Sequence, residues 1–177
     1  MAQGKEGEPQ PPPLTFATVI AIATEATRRT WGHQPTVIVD DGRVRLFSIV
    51  EWGETHEERV ENMALTGYEM GKSAELGALK QVFFISEGWM SRHQRGTPPV
   101  PPTEDPDCIE VLLVSRLDVA QKRNELAVYE IVRQGEAVVD LSHQGDLSSY
   151  DSPLLKAFAV GFQMGRGAGG NGSQGLL

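Results

Sequence analysis

The chain has 177 residues, 19 Gly, 11 Pro, a single Cys and a formal net charge of −8. That charge argues against a general binder of nucleic acid or of anionic membranes, and the lone Cys108 excludes an intrachain disulfide framework and a multi-cysteine zinc site. No stretch reaches the roughly 20 apolar residues that span a bilayer, and the leader before the apolar run at Leu14–Ala23 lacks the positive charge of a signal peptide.

Residues 1–13, with Pro9 and Pro11–Pro13, read as a disordered leader, and 165–177, with six glycines, as a disordered tail. Between them, 14–164 is long enough for one good hydrophobic core and short for two. Leu14–Thr30 predicts a helix: Phe16, Val19, Ile20 and Ala23 share a stripe, and Arg28 and Arg29 suit its C-terminal end. Thr36–Asp40 and Arg43–Trp52 predict a hairpin turning at Asp41-Gly42. In its second strand, Val44, Leu46, Ser48, Val50 and Trp52 fall on one face and Arg43, Arg45, Phe47, Ile49 and Glu51 on the other.

Thr55 followed by Glu58 predicts a capping box opening a helix that runs to about Leu79. Its stripe of Ala64, Gly67, Gly71, Ala74 and Ala78 allows close backbone packing, which must offset about 1 kcal/mol for each interior glycine. Gln81–Trp89, with Val82–Ile85 unbroken, predicts a buried strand, and 90–107 a long, proline-stiffened loop. Cys108–Leu117 and Glu125–Arg133 continue the sheet, Ala137–Leu141 adds a short edge strand, and Pro153–Met164 closes with a helix. The expectation is an α+β domain with about five mainly antiparallel strands in the order α-β-β-α-β-β-β-α and helices beside the sheet.

Motifs are sparse. Gly67 and Gly71-Lys72-Ser73 imitate a phosphate loop, but three residues separate the glycines where four are needed, and the segment lies inside a helix. His56-Glu57-Glu58-Arg59-Val60 lacks the second His of a helical zinc motif, so no metal and no cofactor are expected. There is no G-x-S-x-G elbow. Cys108, after Glu104, Asp105 and Asp107, has the surroundings of a poor nucleophile.

Two function classes follow. The first is a non-catalytic, soluble, cytoplasmic interaction module, homodimeric or partnered by another protein, because a sheet with apolar residues on both faces has few helices to cover it. Phe47 and Ile49, with Ala127, Tyr129 and Ile131, supply the second apolar face. The alternative is a small enzyme or ligand-binding domain with a cleft at the strand ends, near the 90–107 loop. Glu87, in register with Phe83 and Ile85, is its acid or base, with His93 and His56 as further catalytic candidates. Trp89, Arg92 and Arg59 are its ligand-binding candidates, with Arg92 as an anion clamp and Arg92 or Arg59 the partner of Glu87. That alternative requires Glu87, His56 and His93 to converge on one pocket.

Overall fold

The computed structural model describes residues 14–30, 32–43, 45–92, 98 and 100–170. Helix α1 (Phe16–Arg29) starts where the Thr15 hydroxyl accepts the Thr18 N–H, and it buries Val19, Ala23 and Thr27, one per turn. Strands β1 (Thr36–Asp40) and β2 (Arg45–Ile49) form the expected hairpin. Its turn is closed by Asp40 Oδ1 accepting from Gly42 N at 2.7 Å and Asp41 Oδ1 from Arg43 N at 2.7 Å, with Gly42 at φ +89°.

Helix α2 (His56–Gly71) carries the full capping box between Thr55 and Glu58. It stops well before Leu79, because the following segment turns to bury Leu76 and Leu79 in the core. The backbone groups this frees are satisfied from elsewhere. Asp41 Oδ2 accepts the Gly77 N–H at 2.6 Å, and Arg166 donates to the Leu76 carbonyl at 2.7 Å.

Strands β3 (Gln81–Met90), β4 (Ile109–Asp118), β5 (Arg123–Gln134) and β6 (Ala137–Ser148) make an antiparallel meander, completing a six-stranded sheet in the order β2-β1-β3-β4-β5-β6. The class is α+β as expected, with six strands rather than about five: β6 is a full twelve-residue partner of β5. A register shift beside Val128 accommodates Gln144 as an extra residue, next to Gly145 at φ +152°. Helix α3 (Pro153–Gly170), capped by the Ser152 hydroxyl, runs six residues past the expected Met164, since Gly165 is buried against Tyr68 of α2.

The sheet separates two cores. On one face α2 and α3 cover Val37, Val39, Val82 and Phe84 with Met63, Leu155, Phe158 and Phe162. On the other, α1 covers Ile38, Phe83, Ile85, Leu112, Val114, Ile131 and Leu141. Alternation along β3 therefore assigns Ser86 to the α2/α3 face and Glu87 to the α1 face. Ala127 and Ile131 lie under α1, whereas Phe47 and Ile49 stay 69% and 65% exposed on edge strand β2.

Candidate functional site

Glu87 sits where β3, β4 and β5 bring three charged side chains onto the α1 face. Arg133 of β5 grips Glu110 of β4 with two hydrogen bonds, Nε to Oε2 at 2.7 Å and Nη2 to Oε1 at 2.8 Å, and Nη2 also reaches Glu87 Oε2 at 3.3 Å. The other Glu87 oxygen accepts the His33 backbone N–H at 2.8 Å. The three side chains keep only 14–19% of their exposure. The partner of Glu87 is thus Arg133, neither Arg92 nor Arg59.

Burial raises the Glu87 carboxyl above its ordinary value. The His33 N–H and the Arg133 charge pull it back down, and Glu110 adds to the rise. Arg133 is held firmly protonated by its bonds to Glu110. Because the folded state holds the Glu87 proton more tightly than the unfolded chain, Glu87 contributes stability at low pH that is lost as pH rises from about 4.5 through the raised folded value. Glu87→Gln keeps an acceptor for the His33 N–H and cannot ionise. Its unfolding free energy should therefore gain on the wild type's across that interval, and urea melts at pH 4, 5, 6 and 7 read the difference.

Of the remaining candidates, Arg59 and Trp89 border the same cleft as Glu87, and the others lie elsewhere. Arg92 is exposed and pairs with Glu130, which projects with Val111 and Leu113 from the α2/α3 face. Arg59 stacks over Trp52, 5.0 Å from the ring centroid, and donates to the carbonyls of Gly53 and Glu54. Trp89 is 63% exposed at the end of β3, beside Pro102, Thr103 and Cys108. His56 is the exposed first residue of α2, on the sheet face opposite Glu87. His93 lies outside the described residues. No hollow among the described residues is bordered by both Glu87 and His56: Glu87 borders a cleft with Arg59 and Trp89, and His56 the smaller cavity beside it.

Two hollows adjoin one another beside the ends of β3 and β4. A cleft of about 600 Å³ is bordered by Trp52, Arg59, Ser86, Glu87, Gly88, Trp89, Glu110 and Leu113 and by Pro102 and Thr103 of the β3–β4 loop. A smaller cavity of about 210 Å³ shares Trp52, Ser86 and Leu113 with it and extends to His56, Ser115, Leu126 and Tyr150. The cleft lies where the sequence places one, at the strand end beside Glu87, Trp89, Arg59 and the 90–107 loop, whereas the smaller cavity was not visible there, because Ser86 and Ser115 read as ordinary strand positions. Among the described residues no group of three or more His, Cys, Asp and Glu is arranged to hold a metal, and no helix is long and apolar enough to cross a membrane.

No protein-family model matches the chain, and neither the curated proteins nor the solved structures give a match.

Proposed function

We propose that this protein is a non-catalytic interaction module that acts as a homodimer joined through strand β2. The observation that carries the reading is the exposure of Phe47 and Ile49, at 69% and 65%, on the strand at the open edge of the sheet. An edge strand offers unpaired backbone donors and acceptors, and large apolar side chains on it invite a second strand.

The sequence of β2 is self-complementary about Phe47. In an antiparallel pair with its two-fold at Phe47, that ring meets its own copy and Ile49 lies opposite the aliphatic stem of Arg45. Arg43 and Glu51, each four residues from Phe47 and both exposed, then stand opposite one another on either side of the axis. An apolar centre flanked by two opposite-charge pairs is what an isologous strand interface uses. The −8 charge supports protein rather than nucleic acid as partner, and a lone cysteine is compatible with the cytoplasm. Glu87 serves in this reading as a member of an ion-pair network rather than as a proton-transfer group.

A five-residue strand contact is small, so the dimer should dissociate in the micromolar range. Sedimentation equilibrium at 5–200 µM, concentrations on the order of that constant, should show it. Phe47→Lys should shift the chain to monomer with its melting temperature unchanged, since the position is already solvated in the monomer. A wild-type monomer across the range overturns the reading. So does a dimer that survives Phe47→Lys and is lost on substituting the other exposed apolar group, Leu65, Val160 and Met164.

A further inference from the structure

The smaller cavity lies where the first turns of α2 and α3 meet the middle of the sheet. Phe84 and Trp52 stack on one side, with ring centroids 5.4 Å apart and planes at 29°, while Leu113, Leu126 and Leu154 complete an apolar lining. The segment 150–153 that closes it is tied down by Asn124, which donates to the Tyr150 carbonyl at 3.0 Å, and by the Ser152 cap of α3.

Two hydroxyls interrupt this lining. Ser86 and Ser115 are 3% and 6% exposed, both border the cavity, and neither hydroxyl has a hydrogen-bond partner among the described residues. The β3–β4 register pairs Phe84 with Ser115 and Ser86 with Leu113, so the two serines are diagonal neighbours on one face. Valine or alanine would serve these strand positions as well, so the two hydroxyls add hydrogen-bonding capacity to an otherwise apolar wall. Each hydroxyl is open to the hollow and can donate to or accept from a polar group that enters it.

Charge narrows what that is. No Lys or Arg lines the cavity, and its one acid, Asp151, is 73% exposed and paired with Lys156 at 2.7 Å. An anionic or cationic guest would lie there uncompensated. The walls are aromatic and aliphatic, and the volume, about 210 Å³, exceeds the roughly 150 Å³ that accommodates a single benzene in a protein core.

We propose that this cavity is a binding site for a small, uncharged aromatic molecule carrying a hydrogen-bonding substituent, of the size of phenol or indole. The ring lies against Trp52 and Phe84, and Ser86 and Ser115 read the polar substituent. The adjoining cleft, which shares Trp52, Ser86 and Leu113, provides the way in. The site is on the opposite sheet face from Phe47 and Ile49 and is independent of the dimer.

The test titrates the full chain separately with phenol, indole and benzene, following the amide resonances of Ser86, Leu113 and Ser115 and the fluorescence of Trp52. Phenol and indole should saturate at sub-millimolar concentrations. The Ser86→Ala/Ser115→Ala variant, which only removes two oxygens, should bind phenol about tenfold more weakly while its affinity for benzene holds or improves. Phe47→Lys should bind all three as the wild type does, which separates the failure of this site from the failure of the dimer. Absence of saturable shifts at millimolar phenol and indole, as expected if only water enters, overturns the proposal. A phenol-to-benzene preference unchanged by the double substitution overturns it as well.

Discussion

Alanine at both Gly67 and Gly161 should lower the unfolding free energy by about 3 kcal/mol, although alanine is the better helix former. A Cβ on Gly67 would stand closer than 3.0 Å to the carbonyl oxygen of Phe158, and one on Gly161 as close to that of Ala64. Gly71 and Gly165 meet the carbonyls of Phe162 and Tyr68 in the same way, so α2 and α3 touch backbone to backbone through glycines contributed by both. Backbone cannot swing aside as a flexible side chain can, and the helices must part along their length. Overpacking of this kind costs about 1–3 kcal/mol per site, against about 1 kcal/mol gained from helix propensity. Each single variant should therefore lose up to about 2 kcal/mol, and the pair less than the sum, because the first Cβ already opens the seam for the second. Gly167→Ala is the control: nothing lies within 4 Å of its Cβ position, so the propensity gain should appear unopposed. Thermal melts of the four variants and the wild type give the ranking.

That glycine seam shows what a sequence of this kind reveals. The periodicity of Ala64, Gly67 and Gly71 identified a close-packed helix face, and rejecting the phosphate loop left helix contact as their use. The partner could not be named, because the matching glycines divide between the expected last helix, where Gly161 lies, and the run from Gly165 that resembles a disordered tail by composition. Local signals held wherever they were chemically complete, as in the Thr55–Glu58 box and the Asp41-Gly42 turn. They failed where a distant residue satisfies the backbone. The end of α2 depends on Arg166 and Asp41, about 90 and 36 residues from the carbonyl and amide they bind. Strand β6 runs to Ser148, past the expected Leu141, because an edge strand with one face to water needs only its ladder to β5, the polar Ser142–Asp146 included.

The candidate site was legible to the same degree. Alternation placed Glu87 among apolar side chains, and it is indeed largely enclosed. What alternation did not show is which hollow each α2 residue reaches: Arg59 borders the cleft with Glu87, whereas His56, the first residue of the helix, borders only the smaller cavity. Exposed Phe47 and Ile49 followed from the strand pattern directly. Ala127 and Ile131 did not stay exposed with them, because α1 crosses the β4–β6 half of the sheet and leaves β2 uncovered.

The Glu87–Arg133–Glu110 group has the second large effect. Arg133→Ala removes the one cation between two carboxylates that are diagonal neighbours on adjacent strands. Breaking a fully buried pair costs about 3–5 kcal/mol. Here the residual exposure of 14–19% admits some water, and about 2–3 kcal/mol is expected at pH 7. The loss should depend on pH in a definite direction. Without Arg133 the Glu87 carboxyl rises further in the folded state, so the folded variant binds more protons than its unfolded chain above about pH 4.5 and loses stability as pH increases. The deficit relative to wild type should accordingly shrink toward pH 4, where Glu87 takes up its proton and no longer needs the guanidinium. Adding Glu87→Gln and Glu110→Gln to Arg133→Ala should recover most of the pH 7 loss, since unpaired charge and not lost packing is its main source. Urea unfolding of the single and triple variants at pH 4 and pH 7 separates the two causes. A deficit that is equal at both pH values and unrelieved by the glutamines would mean that the aliphatic stem of Arg133, packed at the strand end, is what stabilises the fold there.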